Sequence, residues 1–359
     1  MPKLSKRLET ILGMLENCGG LLDVGCDHGY TSIEAVRRGS ARRAVAADVA
    51  KGPLSAAAAH IKEAGLSGQI ETRLSDGLRE LLSLPHFPAQ EMAENGLHAA
   101  HLRRTKFHSL AQEMTEEAHS VHEEKGGLSL ILSGIGGSLM CDILRGLPTN
   151  GAKDRPEADT GAKVRALLSG MQQLLLSPQS EPALVRHLLT DEYGFAIAQE
   201  KMVCDEGKYY VVLDVRPAQK AEPYADEAAY LYGAALIAHP DKTFLEYLGD
   251  QERKLAAARE KASKAAGIPH GEDTGECRED AENQPHAVQD AQSDQDSKEA
   301  ASKGKKQAGR AGTQATLLGG KLEELRRVRE TALAQMQAED CKKADCKAAK
   351  DTAAAQEDC

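Results

Sequence analysis

Leu21-Leu22-Asp23-Val24-Gly25-Cys26-Asp27-His28-Gly29-Tyr30 is an apolar run that ends in acids and glycines just before a helical pattern begins. It predicts a strand, a tight turn and a helix start. Gly25 and Gly29 carry no Cβ, so they accept a positive φ and let another molecule come close to the backbone. The helix that follows offers free N–H groups at its start. A dinucleotide-binding loop holds its pyrophosphate with Gly-x-Gly-x-x-Gly, and that spacing is missing here. The order is Asp-x-Gly-x-x-x-Gly, with carboxylates where a phosphate would be repelled. Such a loop suits a cationic ligand and disfavours a nicotinamide oxidoreductase.

S-adenosylmethionine fits that requirement, because it carries an ammonium group and a sulfonium and no phosphate. Asp23 and Asp27 can face its methionine end without electrostatic penalty. A second buried strand, Ala44-Val45-Ala46-Ala47-Asp48, ends in a carboxylate able to bind both hydroxyls of a ribose. A third, Ile70-Glu71-Thr72-Arg73-Leu74, ends at Ser75-Asp76-Gly77, where an acid can accept a hydrogen bond from an adenine amino group. One acid before a helix is commonly just a cap. Three acids at three successive strand ends make one site.

The chain has 359 residues, 41% of them hydrophobic, enough for two domains and one good core. Behind Met1 the segment Pro-Lys-Leu-Ser-Lys-Arg leads into no apolar run, and nowhere do 18 apolar residues stand together. The expectation is a soluble, cytoplasmic protein without membrane contact. Cys18, Cys26, Cys141 and Cys204 fall in segments that read as fold elements, as reduced thiols do. The net charge of −10 is uneven: Gly267–Ala300 holds ten acids against Arg278 and Lys298, whereas Lys3, Lys6, Arg7, Arg37, Arg38, Arg42 and Arg43 form a basic N-terminal set. Such a set can neutralise phosphates.

Leu4, Leu8, Ile11, Leu12 and Leu15 recur at helical spacing. Beyond the first strand, Thr31–Arg38 reads as a helix stopped at Gly39, and Gly52-Pro53 opens an Ala-rich helix closed by Gly65. Strands alternating with helices imply a parallel sheet with ligands beyond its carboxyl edge. Residues 85–127 are polar and His-rich and read as a surface insertion. His98/His101 and His119/His122 have chelating spacing without convincing partners, so no metal is expected. Leu128-Ser129-Leu130-Ile131-Leu132 is a fourth strand, and Ser133-Gly134-Ile135-Gly136-Gly137 lets a reacting atom approach closely. A second insertion is expected over 149–163. Leu174–Leu176 then leads to Ser177-Pro178-Gln179, Glu181–Thr190 reads as a helix, and Lys208–Val215 as a last strand, hairpinned with Phe195–Val203. The first domain is therefore expected over 1–217. Residues 218–340 read as a coiled-coil hairpin of Leu236–Ala262 and Leu317–Ala338 around a disordered tip at 263–314. The tail 341–359 is expected to be disordered.

Leu4-Ser5-Lys6-Arg7-Leu8, the Asp23–Tyr30 loop, Asp48 with Gly52-Pro53, Asp76-Gly77-Leu78, Gly134-Ile135-Gly136-Gly137, Glu206-Gly207-Lys208-Tyr209-Tyr210 and Tyr230-Leu231-Tyr232-Gly233 together resemble the bacterial TrmK family. The resemblance covers roughly 4–84, 128–147, 166–262 and 316–338. It implies a Rossmann-like class I methyltransferase sheet with a C-terminal coiled-coil hairpin, and tRNA methylation at N1 of adenine 22 from S-adenosylmethionine. The family has Ser or Thr at Cys26, Met at Ile135 and Asn at Gln179, the last bearing on substrate contact.

On this reading Asp23, Gly25, Asp27, Gly29, Asp48, Asp76, Gly77 and Gly134 hold the donor. Asp27 and His28 orient the donor or the base and are the catalytic pair. Lys6, Arg7, Tyr30, Gly136, Gly137, Pro178 and Gln179 contact tRNA, whose target base must leave its stack to be reached. Alternatives are a methyltransferase for another RNA or a small molecule, and an inert fold whose coiled coil recruits a partner.

Overall fold

The structure, a computed structural model, describes residues 3–83, 126–149, 159–267 and 294–357. The chain divides into two compact units, Met1–Thr243 and Phe244–Cys359.

The first unit is built on a seven-stranded sheet in the order β3-β2-β1-β4-β5-β7-β6. β1 (Cys18–Val24) lies between β2 (Ala41–Asp48) and β4 (Leu128–Ser133), parallel to both. β3 (Ile70–Leu74) extends the sheet parallel to β2, and β5 (Gln173–Ser177) parallel to β4. β7 (Lys208–Lys220) runs antiparallel to β5, and β6 (Phe195–Asp205) forms the far edge, antiparallel to β7. The chain moves outward from β1 to β3, then returns to the other side for β4 and β5. This reversal between β1 and β4 is the switch point at which open α/β sheets bind ligands. Leu21, Leu22, Val24, Leu130, Ile131, Leu132, Leu174, Leu175 and Leu176 are all buried. Burial on both faces explains why these strands read as continuous apolar runs. Each large side chain so buried contributes about 1.5–3 kcal/mol.

Helices cover the sheet. α1 (Lys6–Met14) is capped by Ser5, whose Oγ accepts from the Leu8 N–H at 3.3 Å, and buries Ile11, Leu12 and Met14. α2 (Tyr30–Arg37) and α3 (Lys51–Glu63) follow β1 and β2, and a 3-10 turn (Glu80–Ser83) follows β3. α4 (Gly137–Leu144) follows β4. α5 (Thr160–Ser169) begins inside the stretch 149–163 that reads as an insertion. α6 (Pro182–His187) starts with proline at its first position, where the missing N–H is harmless, and continues as a π-helical turn, Leu188–Glu192. The β6–β7 hairpin turns at Glu206 and Gly207, both with positive φ, the pair of dihedrals a tight two-residue turn requires.

A further π-helical turn, Ala229–Gly233, and α7 (Ala234–Ala238) also belong to the sheet unit, which thus extends beyond residue 217 to Thr243. Their anchor is a buried ion pair: Arg186 Nε lies 2.7 Å from Glu200 Oε1, and Arg186 Nη1 donates to the Tyr230 carbonyl at 2.7 Å. Gly233, at φ +95°, has no Cβ to collide with that pair. His187 stacks on Tyr230 with ring centroids 3.6 Å apart.

α8 (Lys242–Ala266), which carries the chain into the second unit, is separated from α7 by His239-Pro240-Asp241, so the Leu236–Ala262 helix of the sequence reading is broken. Pro240 lacks an N–H and pushes His239 out of helical geometry, to φ −132°. α9 is a single helix, Asp294–Glu357. It includes 294–314 and 341–357, both expected to be disordered. These stretches are poor in apolar residues, but their Ala, Lys, Glu and Gln are strong helix formers. Glu252 of α8 receives Arg326 Nε at 2.8 Å and Arg329 Nη1 at 2.7 Å. Gly319 lies against the Arg259 side chain and Gly312 against Ala266, so the two helices run antiparallel. Phe244, Leu248, Leu322, Leu325, Val328 and Ala332 are buried. No helix among the described residues is long and apolar enough to cross a membrane. The paired histidines His98/His101 and His119/His122 lie outside the described residues, among which no group of metal-ligating side chains is found.

Candidate active site

The carboxyl ends of β1, β2, β3, β4 and β5 bring most of the sequence-predicted residues to one edge of the sheet. The turn after β1 takes three positive φ values in five residues: Gly25 at 74°, Asp27 at 51° and Gly29 at 73°. Asp27 is the only non-glycine of the three, and Asp tolerates this region better than most residues. The nearest atom to a Cβ built on Gly25 is the Ser133 carbonyl, at 4.0 Å, so its outer side is open. Gly29 is different: a Cβ there would lie 3.0 Å from Ala57, so its role is to let α2 and α3 approach.

The carboxylates divide by what they hold. Asp48 accepts the Asp27 N–H at 3.2 Å and the Ala50 N–H at 2.8 Å, one on each oxygen. A carboxylate has about four lone-pair sites, so two remain for sugar hydroxyls. Asp76 is mostly buried, accepts the Thr149 N–H at 3.1 Å and the Thr149 hydroxyl, and has Arg79 3.7 Å away. Gly77, at φ +66°, packs on Ile143. Asp23 is 3% exposed and takes the Ser32 hydroxyl at 2.6 Å. Its carboxylate therefore fastens the loop to the first turn of α2. Burial, with Asp48 adding a smaller repulsion against the Ser32 bonds, lifts its pKa from 3.8 to about 6. Cys26 is likewise buried, and desolvation pushes its thiol far up, so it is an inert spacer.

Asp27 and His28 stand at the mouth, their side chains 71% and 50% exposed, with His28 Nε2 3.6 Å from Asp27 Oδ1. Beside them Tyr30 stacks on His60 with ring centroids 4.8 Å apart. The His60 Nδ1–H donates to the His28 carbonyl at 3.0 Å, since a carbonyl can only accept. Sequence reasoning missed His60, because its contact crosses from α3 to the first turn, a pairing no local spacing reveals.

On the other side, the turns after β4 and β5 are joined backbone to backbone. Gly134 N–H donates to Ser177 O at 3.2 Å, Gln179 N–H to Ile135 O at 2.8 Å, and Gly137 N–H to Ser180 O at 2.9 Å. A Cβ on Gly137 would sit 2.5 Å from the Glu181 carbonyl. Gly137 is buried and its N–H is engaged, so close packing by itself requires glycine here. Gly136 packs near the Ser180 hydroxyl. Gly134, at φ +83°, faces Arg7: a Cβ there would lie 3.5 Å from Arg7 Nη2 and 3.9 Å from Gln179 Nε2. Pro178 stands between the joined turns. Lys6 is exposed one residue away from Arg7.

An open glycine turn, a ribose-competent acid on β2 and an acid after β3, arrayed about the β1/β4 switch point, match what a class I methyltransferase requires. A family model described as Methyltransferase domain matches residues 4–93 and 84–213. The chain belongs to the methyltransferase-domain family. A second model, TrmK, described as tRNA (adenine(22)-N(1))-methyltransferase, matches residues 162–280, and the TrmK resemblance of the sequence is borne out. A Bacillus subtilis (strain 168) relative with the name tRNA (adenine(22)-N(1))-methyltransferase is 25% identical over 267 residues, 74% of this methyltransferase and 87% of the relative. The crystal structure of the Bacillus subtilis tRNA methyltransferase TrmK superposes with a TM-score of 0.54 at 19% identity, covering 91% of this chain and 99% of that one. A candidate tRNA methyltransferase of Streptococcus pneumoniae in complex with S-adenosyl-L-methionine gives a TM-score of 0.50 at 24% identity, covering 72% of this chain and 92% of that one. These likenesses establish the fold.

The basic N-terminal set is partly neutralised. Arg38 makes two hydrogen bonds to Glu9, at 2.8 and 2.9 Å, and a longer one to Glu34, which Arg37 shares. Asp205 accepts the Arg7 N–H at 3.2 Å. Burial acts to raise the pKa of Asp205, but the Arg7 and Lys6 N–H groups and Ser5 outweigh it and hold the carboxyl below its usual range.

Proposed function

We propose that this protein transfers a methyl group from S-adenosylmethionine to N1 of adenine 22 in tRNA. The carrying observation is the coincidence of the open Gly25 turn with Asp48 at the switch point, in a chain whose residues 162–280 match the TrmK model. The residues fit the donor: Asp48 has lone pairs free for ribose hydroxyls, Asp76 lies where an adenine amino group would be read, and Gly25 leaves room over the backbone. When bound, the donor supplies an electrophilic sulfonium methyl.

The chain's own residues supply alignment. Asp48 fixes the Asp27 amide and with it the turn; Asp23 holds the same turn through Ser32; Gly29 sets α2 against α3. Asp27 and His28, exposed at the mouth, orient the donor or the incoming base. Adenine N1 already has a lone pair, so no covalent enzyme intermediate is needed, and alignment alone contributes several kcal/mol of barrier lowering. The joined turns of Gly134, Gly136, Pro178 and Gln179 form the floor, and Lys6, Arg7 and Tyr30 border it for RNA. The antiparallel α8–α9 pair is read as a coiled-coil hairpin that adds RNA-binding surface, and the enzyme as one acting in the cytoplasm.

The test uses labelled S-adenosylmethionine and unmodified tRNA transcripts, with N1-methyladenine mapped by reverse-transcription stops. A stop at adenine 22 that is lost in Asp27→Ala supports the reaction and the site. Tight donor binding without tRNA methylation redirects the search to another acceptor. Absence of donor binding overturns the enzyme reading.

A further inference from the structure

Arg7 stands at this site without an acid paired to its guanidinium. Among the described residues its guanidinium makes no ion pair; it lies over the Tyr210 ring, 4.9 Å from the centroid, while its own N–H is fixed by Asp205. Arg37 and Arg38 of the same basic set are tied to Glu34 and Glu9. A guanidinium held over a ring has its fork of N–H donors positioned at low entropic cost. Its Nη2 reaches the space over Gly134, at the end of β4, where the acceptor must approach. Neither α1 nor the β6–β7 hairpin alone creates this arrangement; the sheet edge brings them together.

We propose that Arg7 is the seat for a backbone phosphate of the RNA next to the target nucleotide, and that Tyr210 is the positioning residue that holds its guanidinium in place. This rests on the reading of the substrate as tRNA. A planar fork donating two parallel hydrogen bonds is matched to phosphate oxygens. Tyr210 has a face to offer the cation and needs no contact with RNA itself.

The experiment measures tRNA binding against salt concentration, tRNA KM and kcat, and S-adenosylmethionine binding by calorimetry, all on the full chain. Arg7→Gln is expected to weaken tRNA binding and raise KM about 10-fold, with the loss falling mainly on KM, and to lower the slope of log K against log salt by about 1. Arg7→Lys, a point charge without the fork, restores the slope but only part of the affinity. Tyr210→Leu reproduces the KM rise, Tyr210→Phe rescues it, and Tyr210→Leu adds nothing to Arg7→Gln, because it acts through the same group. Donor binding stays intact in every variant. An unchanged salt slope in Arg7→Gln overturns the phosphate seat. Additive losses in the double variant, or failure of Tyr210→Phe to rescue, overturn the role given to Tyr210. Should Tyr210→Leu not fold, the Arg7 series and Tyr210→Phe still decide. Wild-type protein that binds tRNA with the expected slope but does not methylate it refutes the proposed reaction and leaves the phosphate seat standing.

Discussion

Asp23→Asn is expected to make the protein more stable at neutral pH, and the gain to shrink in acid. The native pKa of Asp23 stands at about 6 against an ordinary 3.8 because the carboxyl is 3% exposed. Between these values the folded state binds more protons than the unfolded one. Stability is therefore fully present below the unfolded pKa and is lost as pH rises through the folded pKa. At about 1.4 kcal/mol per pKa unit the loss above pH 7 is about 3 kcal/mol, and at pH 4.5 it is about 1 kcal/mol. Asn keeps the carbonyl that accepts from Ser32 and removes the charge. Urea unfolding of wild type and variant at pH 4.5 and 7.5 should show the stability gain growing by about 2 kcal/mol between the two, with unchanged m-values. A gain that does not depend on pH, or a loss at both, would refute the claim that a buried, ionising Asp23 strains the native loop. Weaker donor binding in the same variant would add that this charge also assists the cationic ligand at short range.

Two further outcomes are expected. Arg186→Met leaves Glu200 charged and buried without its partner, which should cost about 3–5 kcal/mol in urea unfolding, while adding Glu200→Leu should recover most of it. Gly137→Ala places a methyl 2.5 Å from the Glu181 carbonyl, so backbone must move; about 1–3 kcal/mol of stability and at least about 10-fold in kcat/KM for tRNA should be lost, with donor binding less affected.

Much of the sheet was legible because its central strands are buried on both faces. Runs such as Leu21-Leu22 and Leu130-Ile131-Leu132 have no polar alternation to confuse them, and each ends in an acid or glycine that marks the ligand edge. The bond from Ser32 to Asp23 was not legible, since a carboxylate after an apolar run reads the same with or without a partner on the next helix. Gly137 was read as a substrate contact because close approach to a ligand and close approach to the neighbouring turn demand the same residue. The long α9 was missed where apolar residues are sparse, as periodicity is silent when intrinsic propensity makes the helix. Arg7 and Tyr210 meet only through tertiary folding, so neither residue's local pattern could pair them.

Because the turns after β4 and β5 are fastened through main-chain amides and carbonyls, the bonds that join them do not use the side chains of Ile135 or Gln179. Those two positions are therefore free variables on a fixed scaffold. A library randomised at both should therefore preserve the fold across its members, with melting temperatures close to that of the wild type.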